Sequence, residues 1–167
     1  MSRAVALTVA SVIWLLGIPL AHAAIPWAIS LLGPRLGWME GRPGIWNLLG
    51  LIPVGVGAAS LVWIMLLHFG RTPESVELEW TPKYLLMRGP YRFTRNPMYV
   101  AELALWLGWA LYFGSVAVLV AFAVLWLLMS YVAVPREERA LEARFGAAYL
   151  EYKNTVPRWL EKILARG

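Results

Sequence analysis

An apolar run that reads AELALWLGWALYFGSVAVLVAFAVLWLLMSYVAV restricts the possible folds of this chain more than any other feature. It carries one charged residue, Glu102, in 34 positions. About 20 apolar residues cross the hydrocarbon core of a bilayer as a helix, so the run predicts membrane-spanning helices. The hydrophobic share of the whole chain, 60%, also exceeds that of ordinary soluble domains. The sequence therefore predicts an all-α integral membrane protein.

Candidate spans are the four apolar segments Ala4 to Leu32, Ile45 to His68, Pro97 to Tyr112 and Val116 to Val134. The first contains Pro19 and Pro26, and we interpret it as one kinked span or as a span followed by an interfacial piece. Its start, MSRAVALTVASVIWLLGIPLAHA, also has the basic residue, apolar stretch and A-x-A ending of a secretory signal. We expect a retained membrane helix, and about four transmembrane helices in all.

The short turn Tyr112 to Ser115 predicts that the last two spans form a tight helical hairpin, so the loop before them and the tail after them share one side. The loop holds five Lys and Arg residues and the tail seven, against Arg35 and Arg42 in the first loop. Positive residues favour the cytoplasmic side. We therefore expect both termini in the cytoplasm and a location in the cell (inner) membrane.

The tail reads PREERALEARFGAAYLEYKNTVPRWLEKI, with Leu141, Phe145, Ala148 and Tyr152 at helical spacing and charges between them. This pattern predicts an amphipathic C-terminal helix that lies on the membrane surface or folds back over the bundle. The chain is then a single membrane domain whose parts are N-terminal spans 1–69, a cytoplasmic loop 70–96, a helical hairpin 97–134 and a tail helix 135–167 that closes a pocket.

Polar residues gather where the third span begins. Arg95, Tyr99 and Glu102 step by four and three positions and so share one helical face. Asn96 precedes Pro97, which suits the first turn of a helix, and the Asn96 side chain can act as an N-cap. The hairpin returns the chain to this depth, so we predict that Glu137 and Glu138 lie opposite Arg95 and Asn96.

Structural interpretations compete with functional ones for several of these residues. Arg88 and Arg92 are typical topology signals, Tyr91 and Tyr99 fit an interfacial aromatic belt, and Glu142 and Glu151 fit a solvated helix face. Glu102 is different, because a carboxylate inside a membrane helix usually faces a partner or a cavity. The structural alternative for Glu102 is an ion pair with Arg95.

Composition excludes several classes of function. The chain has no cysteine and no aspartate, and its two histidines are His22 and His68. These residues make a metal site improbable, and we expect none. The net charge of +5 points to membrane orientation and to anionic lipid headgroups, so we expect membrane lipids and no nucleic acid as partners.

The segments GPYRFTRNPMYVAELALWLGWAL and VPREERALEARFGAAYLEYKNTVPRW, with the upstream FGRTPES and TPKYLLMRGPYR, resemble the isoprenylcysteine carboxyl methyltransferase and phospholipid methyltransferase group of membrane enzymes. The resemblance covers about Phe69 to Leu160. It rests on an ordered set of short motifs: R-[HN]-P-x-Y, a hairpin, P-x-E-E and F-G-x-x-Y-x-x-Y-x-x-x-V-P-R. The first two spans carry no such motif.

The resemblance implies methyl transfer from S-adenosylmethionine to a lipophilic small molecule or a lipidated acceptor that enters from the bilayer. Carried over by position, the residues that would line or close the cofactor site are Tyr91, Arg95, Asn96, Pro97, Tyr99, Glu137, Glu138, Tyr149, Tyr152 and Arg158. Glutamates suit the ammonium of this cofactor, arginine its carboxylate, and aromatic faces its sulfonium and adenine. Many relatives have histidine where this chain has Asn96, which argues against a general base at that position.

Two catalytic residues follow from the two possible acceptors. A carboxylate acceptor needs no base, and Arg158 would orient it; an amine acceptor must lose a proton, and Glu102 would accept it. Two other functions stay open. One is a small proton-coupled transporter that uses Glu102. The other is a nicotinamide-dependent membrane reductase of the sterol type, whose C-terminal region has a similar R-x-P-x-Y-x-x-E pattern.

Overall fold

The computed structural model describes residues 20–69 and 84–160, and five single positions (5, 8, 9, 12 and 17) before them. The predictions for most of residues 4–19 and for the loop 70–83 lie outside the described residues. Apart from one two-stranded ribbon, the regular structure of the described part is helical, so the predicted all-α class is confirmed.

The first half contains helix α1 (Leu20–Leu32), strands β1 (Trp38–Met39) and β2 (Arg42–Pro43), and helices α2 (Ile45–Leu48) and α3 (Leu51–Phe69). Helix α1 begins with a π-helical turn, Leu20–Ala24, and ends in a 3-10 turn. Strands β1 and β2 pair antiparallel, with Trp38 opposite Pro43.

The second half contains a 3-10 turn (Gly89–Arg92), helix α4 (Pro97–Phe113), helix α5 (Val116–Leu128), a π-helical turn (Met129–Ala133), helix α6 (Val134–Phe145) and helix α7 (Ala147–Thr155). Within the described residues, two helical stretches are long and apolar enough to cross a membrane: Ile45–His68 and Val116–Phe145. Helix α4, with 17 residues, and the shorter apolar helix α1 accompany them.

Helices α3 and α4 pack closely because small residues face each other. A Cβ atom added at Gly57 would lie 2.6 Å from the carbonyl oxygen of Ala101, and one added at Gly108 would lie 2.7 Å from that of Gly50. Small residues let helix backbones approach in this way in membrane proteins. Leu61 is buried beside this contact. The packing holds α4, which carries Tyr99 and Glu102, against α3.

Gly114 and Ser115 connect α4 to α5. Gly114 adopts a left-handed conformation (φ 56°) that ends α4, and the Ser115 hydroxyl accepts a hydrogen bond from the Val118 amide in the first turn of α5. Glycine takes this conformation without steric cost. Nearby, the Asn47 side chain donates to the carbonyl oxygens of Leu36 (3.0 Å) and Leu111 (3.1 Å). These bonds join the first loop to the far end of α4.

The predicted single tail helix is wrong. Helix α6 continues from α5 through the π-helical turn, and Pro135 lies in the first turn of α6, where its missing amide hydrogen is tolerated. Gly146 then ends α6 with φ 52°, a value that favours glycine, and α7 starts in a new direction. The break at Gly146 lets the end of the chain fold back onto the start of α4.

The glycine contact generates a paired prediction. Gly57→Ala should lower the free energy of unfolding by about 1–3 kcal/mol, because the added methyl group meets the α4 backbone. Gly55→Ala is the matched control: it lies on the same helix, nothing lies within 4 Å of its added Cβ, and alanine raises helix propensity by about 1 kcal/mol. Thermal unfolding in detergent measures both, and equal stability of the two variants would contradict the close contact.

Candidate functional site

The site is built around the buried carboxylate of Glu138 on α6, which is 4% exposed. Arg95, just before α4, places Nη2 3.1 Å from Glu138 Oε1. Arg158, just after α7, donates from Nε to Oε1 (3.1 Å) and from Nη2 to Oε2 (2.5 Å). A buried charge is tolerated when it is paired and hydrogen-bonded in this way. One carboxylate thus joins three segments that are far apart in sequence.

Backbone contacts complete the docking of the tail. The Arg95 amide donates to the Pro157 carbonyl oxygen at 2.9 Å. Two side chains donate to the carbonyl oxygen of Arg158: the Thr94 hydroxyl at 2.7 Å and the Asn96 amide at 3.0 Å. These bonds give hydrogen-bond donors to the carbonyl oxygens of Pro157 and Arg158, which would otherwise be buried without a partner. The predicted approach of Glu138 to Arg95 is therefore present in the structure, whereas the Asn96 side chain contacts Arg158.

Asn96 occupies the N-cap position of α4, but its side chain makes no capping hydrogen bond, so that part of the prediction is wrong. The Asn96 side-chain amide instead donates to the carbonyl oxygen of Arg158. The Thr94 hydroxyl accepts from the Asn96 backbone amide at 3.1 Å. Pro97, buried in the first turn of α4, starts the helix and has no amide hydrogen to donate.

Tyrosines of both segments surround this junction. The Tyr99 hydroxyl donates to Glu137 Oε2 at 3.0 Å, and the Tyr152 hydroxyl donates to the Tyr91 carbonyl oxygen at 2.7 Å. Tyr149 is 1% exposed, and burial together with the Glu138 carboxylate raises its pKa to about 12. The Tyr149 phenol is therefore neutral at physiological pH and is available as a hydrogen-bond donor.

A cavity of about 50 Å³ lies beside these residues, lined by His68, Tyr84, Leu85, Leu86, Tyr91, Arg95, Glu137, Leu141, Tyr149 and Tyr152. Two polar atoms of its lining residues, Arg95 Nε and the Tyr149 hydroxyl, are buried without a hydrogen-bond partner in the described structure. The Glu137 carboxylate is on the same cavity. The other predicted site residues near this junction, Asn96, Pro97, Tyr99, Glu138 and Arg158, are not among the lining residues.

Sequence reasoning missed His68 as a site residue. Its Nδ1 lies 2.9 Å from the Tyr84 hydroxyl and its Nε2 lies 3.1 Å from the Tyr91 hydroxyl. A neutral imidazole can donate to one hydroxyl and accept from the other. The signal was its position as the last residue of the apolar segment Ile45 to His68.

Glu102 is not among the residues that line this cavity. Its Oε1 is 4.0 Å from Nε2 of His22, in the π-helical turn of α1, and the two side chains are 18% and 14% exposed. The alternative ion pair between Glu102 and Arg95 is wrong, because Arg95 pairs with Glu138. Arg158, predicted as a residue that orients the acceptor, is likewise bound to Glu138 and anchors the tail.

The remaining predicted surface glutamates behave as expected for a solvated face. Glu142 pairs with Lys153 at 3.2 Å with both side chains more than a third exposed, and Glu151 is exposed. Among the residues that the structure describes, no three metal-ligating side chains come together.

Removing the central charge should detach the tail. We expect Glu138→Gln to destabilise the protein by about 3–5 kcal/mol, because two buried or half-buried arginines lose their partner. Glu142→Gln, which breaks the exposed pair with Lys153, should cost less than about 1 kcal/mol. Thermal unfolding and limited proteolysis of the tail report the difference. Equal effects of the two substitutions would show that Glu138 does not hold the tail.

The family comparison matches a region that includes α3 to α6 and most of the cavity lining. Residues 47–148, more than half of the chain, match the phospholipid methyltransferase family. An uncharacterized protein of Haemophilus influenzae is 35% identical over 63 residues, which is 38% of this chain and 100% of that protein. No solved structure matches the chain significantly. The matched family and the two long apolar helices indicate a membrane protein. The chain belongs to the phospholipid methyltransferase family.

Proposed function

We propose that this protein transfers a methyl group from S-adenosylmethionine to a lipophilic or lipidated acceptor at the cytoplasmic face of the membrane. Family membership supports methyl transfer over the transporter and the nicotinamide-dependent reductase. The cytoplasmic side follows from the excess of Lys and Arg in the loop and tail. With this orientation, α1, α2–α3, α4 and α5 are four spans, and the cavity lies at the cytoplasmic end of α4.

The observation that carries the proposal is a pair of buried donors at the cavity, Arg95 Nε and the Tyr149 hydroxyl, which have no partner among the described residues and share the cavity lining with Glu137. Buried polar groups normally have partners, so this arrangement favours a ligand with both acceptor and donor groups. S-adenosylmethionine has a carboxylate, an ammonium and a sulfonium. Arg95 and Tyr149 suit the carboxylate and Glu137 suits the ammonium. The rings of Tyr91 and Tyr152 suit the sulfonium or the adenine.

The size of the cavity adds a requirement. About 50 Å³ is far below the roughly 300–1,000 Å³ of small-molecule sites, so the walls must separate before the cofactor binds. The tail side of the cavity is held by charged hydrogen bonds from Arg158 to Glu138. Charged hydrogen bonds contribute about twice as much as neutral ones. We therefore expect the walls to separate while the tail stays bound to Glu138.

The cofactor supplies an activated methyl group when it is bound. The residues of this chain would then orient the two reactants and exclude water. Tyr99 connects the two regions, since its hydroxyl binds Glu137 at the cavity while its helix continues toward Glu102. An acceptor with an apolar chain would reach this face from the bilayer, alongside α4.

Calorimetry on the purified protein tests the site. S-adenosylmethionine should bind the wild type, and Glu137→Gln should weaken binding about tenfold or more, since a charged hydrogen bond contributes about 1.5–3 kcal/mol. Glu151→Gln is the control, because Glu151 lies on the exposed side of α7, and its affinity should stay within twofold of the wild type.

Two results would contradict the proposal. One is unchanged affinity in the Glu137→Gln variant. The other is binding of a reduced nicotinamide cofactor by a wild-type protein that does not bind S-adenosylmethionine.

A further inference from the structure

A second cavity, of about 370 Å³, lies between the segment around the 3-10 turn and helix α7, and we call it the tail groove. Its lining includes Met87 and Arg92 on one side and Ala148, Glu151 and Val156 on the other. Small-molecule sites enclose roughly 300–1,000 Å³, so the tail groove reaches this range, whereas the cavity at the start of α4 has about 50 Å³. None of these five residues has a role in the cofactor site described above.

A single side chain separates the two cavities. Tyr152 is the one described residue that lines both of them. Leu86 lines the cavity and the next residue, Met87, lines the tail groove. In the same way, Tyr149 lines the cavity and its neighbour Ala148 lines the tail groove. This alternation places the two cavities on opposite sides of the same two segments, with Tyr152 between them.

Tyr152 closes the passage between the cavities by a neutral hydrogen bond. This residue is 5% exposed, and its hydroxyl donates to the Tyr91 carbonyl oxygen in the 3-10 turn at 2.7 Å. A bond of this kind contributes about 0.5–1.5 kcal/mol. Rotation of the side chain about its own torsions breaks the bond and leaves the bonds from Arg158 to Glu138 intact. The two cavities can therefore join while the tail stays docked.

The two cavities differ in chemistry in the same way as the two halves of S-adenosylmethionine. The cavity presents the Arg95 guanidinium and the Glu137 carboxylate, which suit the charged methionine half. The tail groove presents apolar side chains and the guanidinium of Arg92, a group that stacks on planar aromatic rings. The nucleoside half has an aromatic base and carries no charge at neutral pH, so it suits the tail groove.

Resting on the function proposed above, we propose that the tail groove binds the nucleoside half of S-adenosylmethionine and that Tyr152 is the gate residue between the groove and the cavity. The methionine half lies in the cavity beside Arg95 and Glu137, and the sulfonium lies beside the turned ring of Tyr152. A ligand of this length occupies both spaces only when Tyr152 turns. Glu151, on the exposed side of the tail groove, meets no cationic group of the nucleoside, so its substitution has little effect on affinity.

Filling the tail groove tests the nucleoside subsite. Ala148→Trp places an indole in the groove and should weaken the binding of S-adenosylmethionine about tenfold or more, because the indole takes the space of the nucleoside. Ala147→Trp is the matched control: Ala147 precedes Ala148 on α7, is also exposed and does not line the groove, and the affinity should stay within about twofold of the wild type. Calorimetry on the purified full chain measures both affinities, and limited proteolysis verifies that the tail stays docked.

A ligand that contains one half of the cofactor separates the two subsites. The compound 5′-methylthioadenosine has the nucleoside and the sulfur but no amino-acid group, and it should compete with S-adenosylmethionine for the wild type. Ala148→Trp should weaken its binding about tenfold or more. Glu137→Gln should leave its binding within about twofold of the wild type, because this compound has no ammonium group for the Glu137 carboxylate to bind.

Removing the hydrogen bond of Tyr152 tests its role as the gate residue. Because the bond is broken in the bound state, Tyr152→Phe should raise the association rate constant of S-adenosylmethionine about two- to tenfold and leave the dissociation rate constant unchanged. Tyr131→Phe is the control, since Tyr131 is 73% exposed and lines neither cavity, and both of its rate constants should equal those of the wild type. Stopped-flow fluorescence measures these rate constants.

Wild-type affinity of the Ala148→Trp variant for S-adenosylmethionine would overturn this inference alone, as would an equal loss in the Ala147→Trp variant. Slower association with the Tyr152→Phe variant, or failure of 5′-methylthioadenosine to compete, would do the same. If the tryptophan variants lose the docked tail, the association rate constant of Tyr152→Phe decides. Failure of the wild type to bind S-adenosylmethionine would overturn the proposed function and, with it, this inference.

Discussion

Burial of one carboxylate between two arginine side chains organises this protein. Glu138 can be 4% exposed because Arg95 and Arg158 both bind it, and Arg158 does so through two hydrogen bonds. Because these residues come from the start of α4, from α6 and from the end of α7, their pairing fixes the tail on the bundle. The donors of Arg95 and Tyr149 at the cavity, which have no partner in the part of the chain that the structure describes, depend on that docking. Without it, the cavity would have no wall on the tail side.

Helix α4 carries two groups of polar contacts along its length. At its first turn the charges are paired and the hydrogen bonds are directed at the tail. One turn further, Tyr99 reaches the second carboxylate of α6, and beyond it Glu102 meets His22 of α1. The glycine contacts with α3 hold the helix in place from the other side. We propose that this arrangement brings a polar methyl donor and a lipophilic acceptor together along α4.

Some of the site was predictable from sequence, because the lengths of two helices and of the short turn between them determine which residues lie side by side. The positions of Arg95 and Glu138 relative to each other follow from the lengths of α4 and α5 and from Gly114 between them. The partner of the Asn96 side chain was not predictable, since a carbonyl oxygen 62 positions away replaces the local cap. Gly146 is the residue type that ends helices, but the apolar residues on both sides of it keep helical spacing, and this spacing predicted one continuous helix. The contact of Glu102 with His22 depends on how α1 packs, and the proline-interrupted first segment carries no pattern that reveals this packing.

Photolabelling tests most directly whether the start of α4 and the tail enclose a single methyl-donor compartment. The purified protein would be irradiated with an azido-adenine derivative of S-adenosylmethionine, and the labelled peptides would be identified by mass spectrometry. We expect label in the segment 84–99 and in the segment 137–152, and loss of both labels when unmodified S-adenosylmethionine competes. Competed label confined to other parts of the chain, with neither of these segments modified, would contradict a compartment formed between them.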